Sequence, residues 1–259
     1  MVDASLRLSP ISPARLALLL GGPAAIVLGC WIYLAVMIGD MSAGPGLSPM
    51  TTPRPFGPAQ LSGLFLMWTV MMAAMMLPTA APMTVAYARM RAAERGRRVP
   101  WASVLLFAGG YLAIWSAFSA GATLVQGVLT ELAYLTPMTM KIASGPLAGG
   151  VLIAAGVYQF LPVKQACLRQ CRTPIGFLMT QWRDGDWGAF VMGWRHGLFC
   201  VGCCWALMGL LFVAGVMNAL WIVGLTVYVL IEKLVPHSQF VTRLLGLGLI
   251  GMGLGTIVG

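Results

Sequence analysis

Hydropathy divides the chain into seven apolar stretches, roughly 16–38, 61–87, 101–129, 146–163, 188–214, 219–235 and 242–258. About 20 apolar residues suffice for a helix to cross the hydrocarbon core of a bilayer. The expected fold is therefore an all-α polytopic transmembrane helix bundle of about seven spans. Six are possible, because the fourth and sixth stretches are short. The sixth follows the fifth so closely that the two form either a tight hairpin or one broken element.

The composition excludes the alternatives to a membrane protein. Hydrophobic residues make up 59% of the 259 residues and charged ones 9%, whereas a soluble domain carries about 25% charge. Residues 1–259 read as a single integral membrane domain with no room for a separate soluble one. The net charge of +9 does not point to nucleic acid, since the basic residues gather in short loops beside the apolar stretches. The first stretch is too long for a cleavable signal, and Asp40-Met41-Ser42-Ala43 is a poor cleavage site.

Loop charge sets an expected orientation. Arg7 and Arg15 precede the first stretch; Arg89, Arg91, Arg95, Arg97 and Arg98 follow the second; Lys164, Arg169, Arg172 and Arg183 separate the fourth and fifth. Lys233 and Arg243 flank the last short turn, and the opposite side holds only Arg54 and Lys141. The positive-inside rule places the N-terminus in the cytoplasm and, with seven spans, the C-terminus outside. Glycines such as Gly246, Gly248, Gly251 and Gly253 suit close helix packing in lipid.

One stripe in the fifth stretch carries the most chemistry. Met192, His196, Cys200 and Cys203 stand at intervals of four, four and three. On a helix they cover a face about 80° wide. Thiolate, thioether and imidazole are the donors that soft metals, copper(I) above all, prefer. Arg195 is expected to help keep the thiolates charged. Cys204 points off the stripe and would face another helix. Cys200 and Cys203 also form a C-x-x-C, the spacing of dithiol redox proteins, so metal ligation and thiol exchange both remain open.

Two further groups could supply ligands. Met71, Met72, Met75 and Met76 belong to two methionine stripes in the second stretch; methionine is an ordinary core filler and also a soft, uncharged ligand. Pro78 and Pro82 should kink that helix. Cys167 and Cys171, four apart near Lys164, Arg169 and Arg172, share a face if their segment is helical, though a solvated basic loop with incidental cysteines fits as well. Cys30, alone in the first stretch, reads as core. Glu232-Lys233 reads as a local ion pair at a membrane edge, and Asn218 as a helix cap.

Several of these segments together resemble a known family. Met67-Trp68, Met71-Met72-Ala-Ala-Met75-Met76-Leu-Pro78 and Pro82-Met83 belong to the match. So do Tyr158-Gln159, Lys164, Cys167, Cys171-Arg172, Arg195-His196-Gly197, Cys200-Val-Gly202-Cys203-Cys204-Trp205 and Glu232-Lys233. The chain is similar to the predicted metal-binding integral membrane proteins over about residues 60–236. Members of that family include a membrane copper chaperone associated with a bacterial tyrosinase. The resemblance implies copper binding and delivery to a cuproenzyme or membrane complex, in a bacterial inner membrane. In that reading Cys167 and Cys171 capture the ion, His196, Cys200 and Cys203 hold it, and the methionines complete or relay its coordination. A membrane thiol–disulfide oxidoreductase and a structural subunit of a larger complex are the rival functions.

Overall fold

The computed structural model describes residues 13–42, 57–94, 101–136, 140–235 and 239–259, with the side chains of 21–40 alone in the first segment. Arg7, Arg54, Arg95, Arg97, Arg98 and the loop tips around them lie outside the described residues. The chain forms helices α1 (Pro13–Ser42), α2 (Pro58–Glu94), α3 (Trp101–Glu131), α4 (Gly145–Tyr158) and α5 (Pro162–Arg172). It continues with α6 (Pro174–Gln181), α7 (Gly185–Gly209), α8 (Leu211–Ala214), α9 (Ala219–Leu234) and α10 (Gln239–Val258). Among the described residues the β structure is one isolated bridge, Leu135 to Ile142.

All seven apolar stretches are helical, as expected, but they are unequal. By length and composition five helical segments can each cross a membrane: α1, α2, α3, α7 with α8, and α10. A sixth is available only if α4 and α5 count together across a 63° bend. The break has a local cause: Pro162 opens α5 and disfavours helical backbone at Leu161. α9, with 16 residues, rises about 24 Å, less than the ~30 Å hydrocarbon core. Asn218 caps it as expected, its Oδ1 accepting from Leu220 N at 3.1 Å and Trp221 N at 3.4 Å.

Glycines decide which helices meet closely. A Cβ on Gly193 of α7 would lie 1.9 Å from Phe107 O of α3, and one on Gly110 would lie 2.2 Å from Phe190 O. Only bare backbone fits at these crossings, so α3 and α7 pack backbone to backbone and run parallel. α4 and α10 use the same device in antiparallel register: a Cβ on Gly149 would be 2.7 Å from Gly253 O, and one on Gly156 2.8 Å from Gly246 O. Gly246 and Gly253 thus act as the sequence suggests, whereas Gly248 and Gly251 face open space.

α2 is the centre of the bundle. It continues as one helix through Pro78 and Pro82, and its methionines at 67, 71, 72, 75 and 76 are all fully buried. They share one core with Cys200, Cys203 and Cys204 of α7. A smaller core, with Met83, Tyr87, Phe107, Phe177 and Met192, lies beside it toward the other end of α2.

Candidate functional site

The stripe on α7 faces inward along its whole length: Met192, His196, Cys200 and Cys203 are all buried. Gly193 and Gly197 lie on the face that meets α3. A Cβ on Gly197 would come within 2.9 Å of Ile114 Cβ. This close approach sets Tyr111 of α3 against Cys200, with Tyr111 OH 3.1 Å from Cys200 Sγ. The same hydroxyl lies 3.1 Å from Met76 O of α2. Tyr111 therefore ties three helices together at the cysteine.

Cys200 is the hub of the site. Lys233 of α9 points its Nζ at Cys200 Sγ, 2.9 Å away, and at Thr79 Oγ1 of α2, 3.0 Å away. Lys233 and Thr79 are both buried. A buried ammonium needs a counter-charge or full hydrogen bonding, and the sulfur beside it would supply a counter-charge when deprotonated. Cys203 and Cys204 turn their thiols back along α7, donating to Cys200 O at 3.1 and 3.0 Å.

The segment with Cys167 and Cys171 is a helix rather than a solvated loop. α5 turns away from the line of α4 at the 63° bend and lies against α7, with Lys164, Leu168 and Cys171 at i, i+4 and i+7. Cys171 is half-buried and packs against the core that holds Cys200, Cys203 and Cys204. Cys167 packs on Gly202, where a Cβ would be 2.8 Å from its Sγ. Five of the six free cysteines thus gather where α5 meets α7, and Cys204 joins them despite lying off the stripe. Cys30 stays apart on α1, half-buried against the core.

His196 sits one turn from Cys200 in an aromatic box. Its ring stacks on Tyr111 at 5.4 Å and Phe107 at 6.2 Å, with Phe177 edge-on at 5.6 Å. Among the described residues its buried Nδ1 has no hydrogen-bond partner, a costly state for a polar atom. Of the methionines, Met71, Met72, Met75 and Met76 line the core shared with the thiols, whereas Met192 falls in the smaller one. Farther along α3, Gln126 holds another thioether in place. Its Nε2 donates to Met140 Sδ at 3.0 Å while its Oε1 accepts from Trp68 Nε1 at 2.6 Å.

Two expectations about charge are corrected. Arg195 does not attend the thiols, because its Nη1 donates to Gln181 Oε1. As the residue beside His196 it stands 100° off the stripe, and Lys233 takes the place at the sulfur. Glu232 and Lys233 do not pair with each other in the expected way. Glu232 Oε1 meets Lys164 Nζ at 2.6 Å, both residues buried, and also accepts from Thr242 Oγ1 at 2.9 Å. Consecutive residues on a helix diverge, so Glu232 clasps α5 and α10 while Lys233 reaches α2 and α7. His237, noted beside them in the sequence, lies outside the described residues.

Lys233, Tyr111 and Thr79 belong to the site without having been singled out as its members. A lysine inside an apolar stretch was the available signal for the first. The other two arrive by long-range packing that no local pattern announces. Chemically, the arrangement offers a sulfur-rich cluster in the core with one buried ammonium and, among the described residues, one imidazole nitrogen without a hydrogen-bond partner. Among the described residues no three His, Cys, Asp or Glu side chains already form a metal cage.

Comparison with known proteins adds one result. No curated protein and no solved structure matches the chain. A family model described as PpoB2, copper chaperone, matches residues 65–256. That match takes in α2 to α10 nearly whole, with every thiol of the cluster. The chain belongs to the PpoB2 copper chaperone family.

Proposed function

We propose that the protein carries copper(I) as cargo in the membrane, taking it at the cytoplasmic side and passing it to an assembling cuproenzyme on the outer side. Cys171 and Cys167 receive the ion. Cys200 and Cys203, with Cys204 and His196 at hand, hold it, and Met71, Met72, Met75 and Met76 relay it along α2. The N-terminus lies in the cytoplasm and the membrane is a bacterial inner membrane.

The observation that carries this reading is the packing of Cys167 and Cys171 of α5 against the core that holds Cys200, Cys203 and Cys204 of α7. It brings two cysteine pairs from separate helices together, near an imidazole nitrogen that has no hydrogen-bond partner among the described residues. Copper(I) is satisfied by few soft donors, even a linear pair of thiolates, and thioethers extend the set. A thiol cluster that is not yet a closed cage suits an ion that must leave again. The rival dithiol-exchange reading, with Cys167 or Cys171 as exchange partner, also needs an outside redox partner to renew the Cys200–Cys203 pair, and Cys200, Cys203 and Cys204 are fully buried.

The test is copper(I) loading of purified protein under reducing conditions, read by competition with a chromogenic chelator. Cys200→Ser and Cys203→Ser should each remove most bound copper(I) while membrane insertion persists. Cys30→Ser should bind like the parent. Equal losses in all three would mean that folding, not coordination, was being measured, and the reading would fall.

A further inference from the structure

Met140 lies in the link between α3 and α4, and the copper reading gives it no role. It is buried in the core that holds the α2 methionines. Its backbone takes φ +50°, a left-handed conformation that a bulky side chain rarely adopts. Bonds on either side of it hold the link in place. Met140 N donates to Thr136 O at 2.9 Å, and Ile142 N donates to Phe212 O at 2.9 Å. The Phe212 ring in turn lies 5.3 Å from the ring of Trp68 on α2.

The sulfur is aimed as well as buried. Trp68 Nε1 meets Gln126 Oε1 at 2.6 Å. An indole nitrogen can only donate, so the Gln126 amide has one sense, and its Nε2 faces Met140 Sδ at 3.0 Å. A thioether is a weak acceptor. Such a bond adds little to packing, but it fixes the direction of one sulfur lone pair. The second lone pair stays available to a soft cation, and uncharged sulfur suits copper(I). Met71 and Met72 stand one turn from Trp68 on α2. The thiols are farther off. Thr79, which shares Lys233 with Cys200, is 11 residues from Trp68, about 16 Å along the helix. Met140 also keeps 8% of its surface exposed, whereas Met67, Met71, Met72 and Met75 keep 0%.

Resting on the copper reading above, we infer that Met140, with Met71 and Met72, forms a second copper(I) site made of thioethers, from which the ion leaves the bundle. Neutral thioethers hold copper(I) more loosely than thiolates do, which suits a release station. The link between α3 and α4 brings that station to the surface at the end of the bundle where an acceptor can reach it.

Carbon-13 methyl NMR of the full chain in detergent tests this, with the methionine methyls labelled and copper(I) added under reducing conditions. The Met140 signal is the one missing from Met140→Leu, which keeps the bulk and deletes the sulfur. If that variant does not fold, Met140→Gly gives the same assignment, since glycine takes a positive φ without strain. Copper(I) held tightly by the thiols should leave the Met140 methyl in place. A further, more weakly held equivalent should shift it together with the methyls of Met71 and Met72. Met140→Leu should load its thiols like the parent and bind the weaker equivalent about tenfold less tightly. A Met140 methyl that stays in place throughout, or a weaker equivalent that Met140→Leu binds like the parent, overturns this site alone. Cys200→Ser and Cys203→Ser report separately: if neither lowers the tight loading, the thiol reading falls, whatever Met140 does. A chain that takes up no copper(I) overturns both.

Discussion

Lys233 Nζ and Cys200 Sγ, 33 residues apart in sequence, meet at 2.9 Å in the middle of the bundle. The pair joins α9 to α7 and, through Thr79, to α2. A copper(I) ion held by two thiolates carries one net negative charge, and Lys233 is placed to balance it. Lys233→Met keeps length and apolar bulk but leaves that complex without a counter-ion. Removing one partner of a buried charge pair costs about 3–5 kcal/mol. Part of this is recovered by protonating a thiol, so copper(I) affinity is expected to fall about ten- to hundredfold. A chelator competition titration measures it. Unchanged or tighter binding would show that the ammonium is a packing element and no counter-charge.

The Lys164–Glu232 pair, at 2.6 Å, carries a different consequence. Lys164→Met strands a carboxylate in the core and should destabilise the protein by about 3–5 kcal/mol. Lys164→Met/Glu232→Gln removes both charges yet keeps an oxygen to accept from Thr242. Most of the loss should return. Denaturant unfolding in mixed micelles reads both variants, and a double variant as unstable as the single would refute the charge argument.

The α3–α7 crossing makes a sharp contrast between neighbouring glycines. Gly193→Ala would push a Cβ to 1.9 Å from backbone oxygen, which cannot yield without moving a helix. Overpacking of this kind costs about 1–3 kcal/mol or more. The shift also draws Tyr111 away from Cys200. Gly109→Ala meets nothing within 4 Å and should be neutral or slightly stabilising, since alanine is the better helix former. Melting midpoints of the two variants, measured side by side, check the pair, and similar values would contradict the close approach.

How much of this was legible in the sequence depends on the range of the interaction. Helix periodicity placed Met192, His196, Cys200 and Cys203 on one face, and that face is buried. The apolar stretches marked every long helix, because lipid leaves the backbone little choice. The direction of α5 was not legible: Pro162 announces a break but not where it leads, so the packing of Cys171 against the core of Cys200 could only come from the structure. Lys233 was visible as a charge in an apolar run, yet its partner lies on another helix and periodicity carries no such information. Arg195 failed for a simpler reason. Being adjacent to His196 in sequence puts it on a different side of the helix.

The orientation inferred from loop charge can be read directly. A reporter fused at residue 93 should be cytoplasmic, and one within 45–58 external. A C-terminal reporter then fixes the parity of crossings, which the bent α4–α5 unit and the short α9 leave between five and seven. An external signal at 93 would reverse the route of the ion.

The methionines of α2 remain the sharpest division between packing and chemistry. Met71, Met72, Met75 and Met76 are wholly buried in the core that holds the thiols, which suits an adaptable filler and a thioether ligand equally. Met→Leu separates the two roles, because it preserves volume and apolarity within about 1.5 kcal/mol while deleting the sulfur. If the thioethers relay copper(I), the quadruple variant should fold and load through its cysteines. It should then release copper to an external acceptor severalfold more slowly, and sulfur-edge spectra should lose their thioether component. Folding, loading and release all equal to the parent would assign the four residues to the core, and the site to His196 and the cysteines alone.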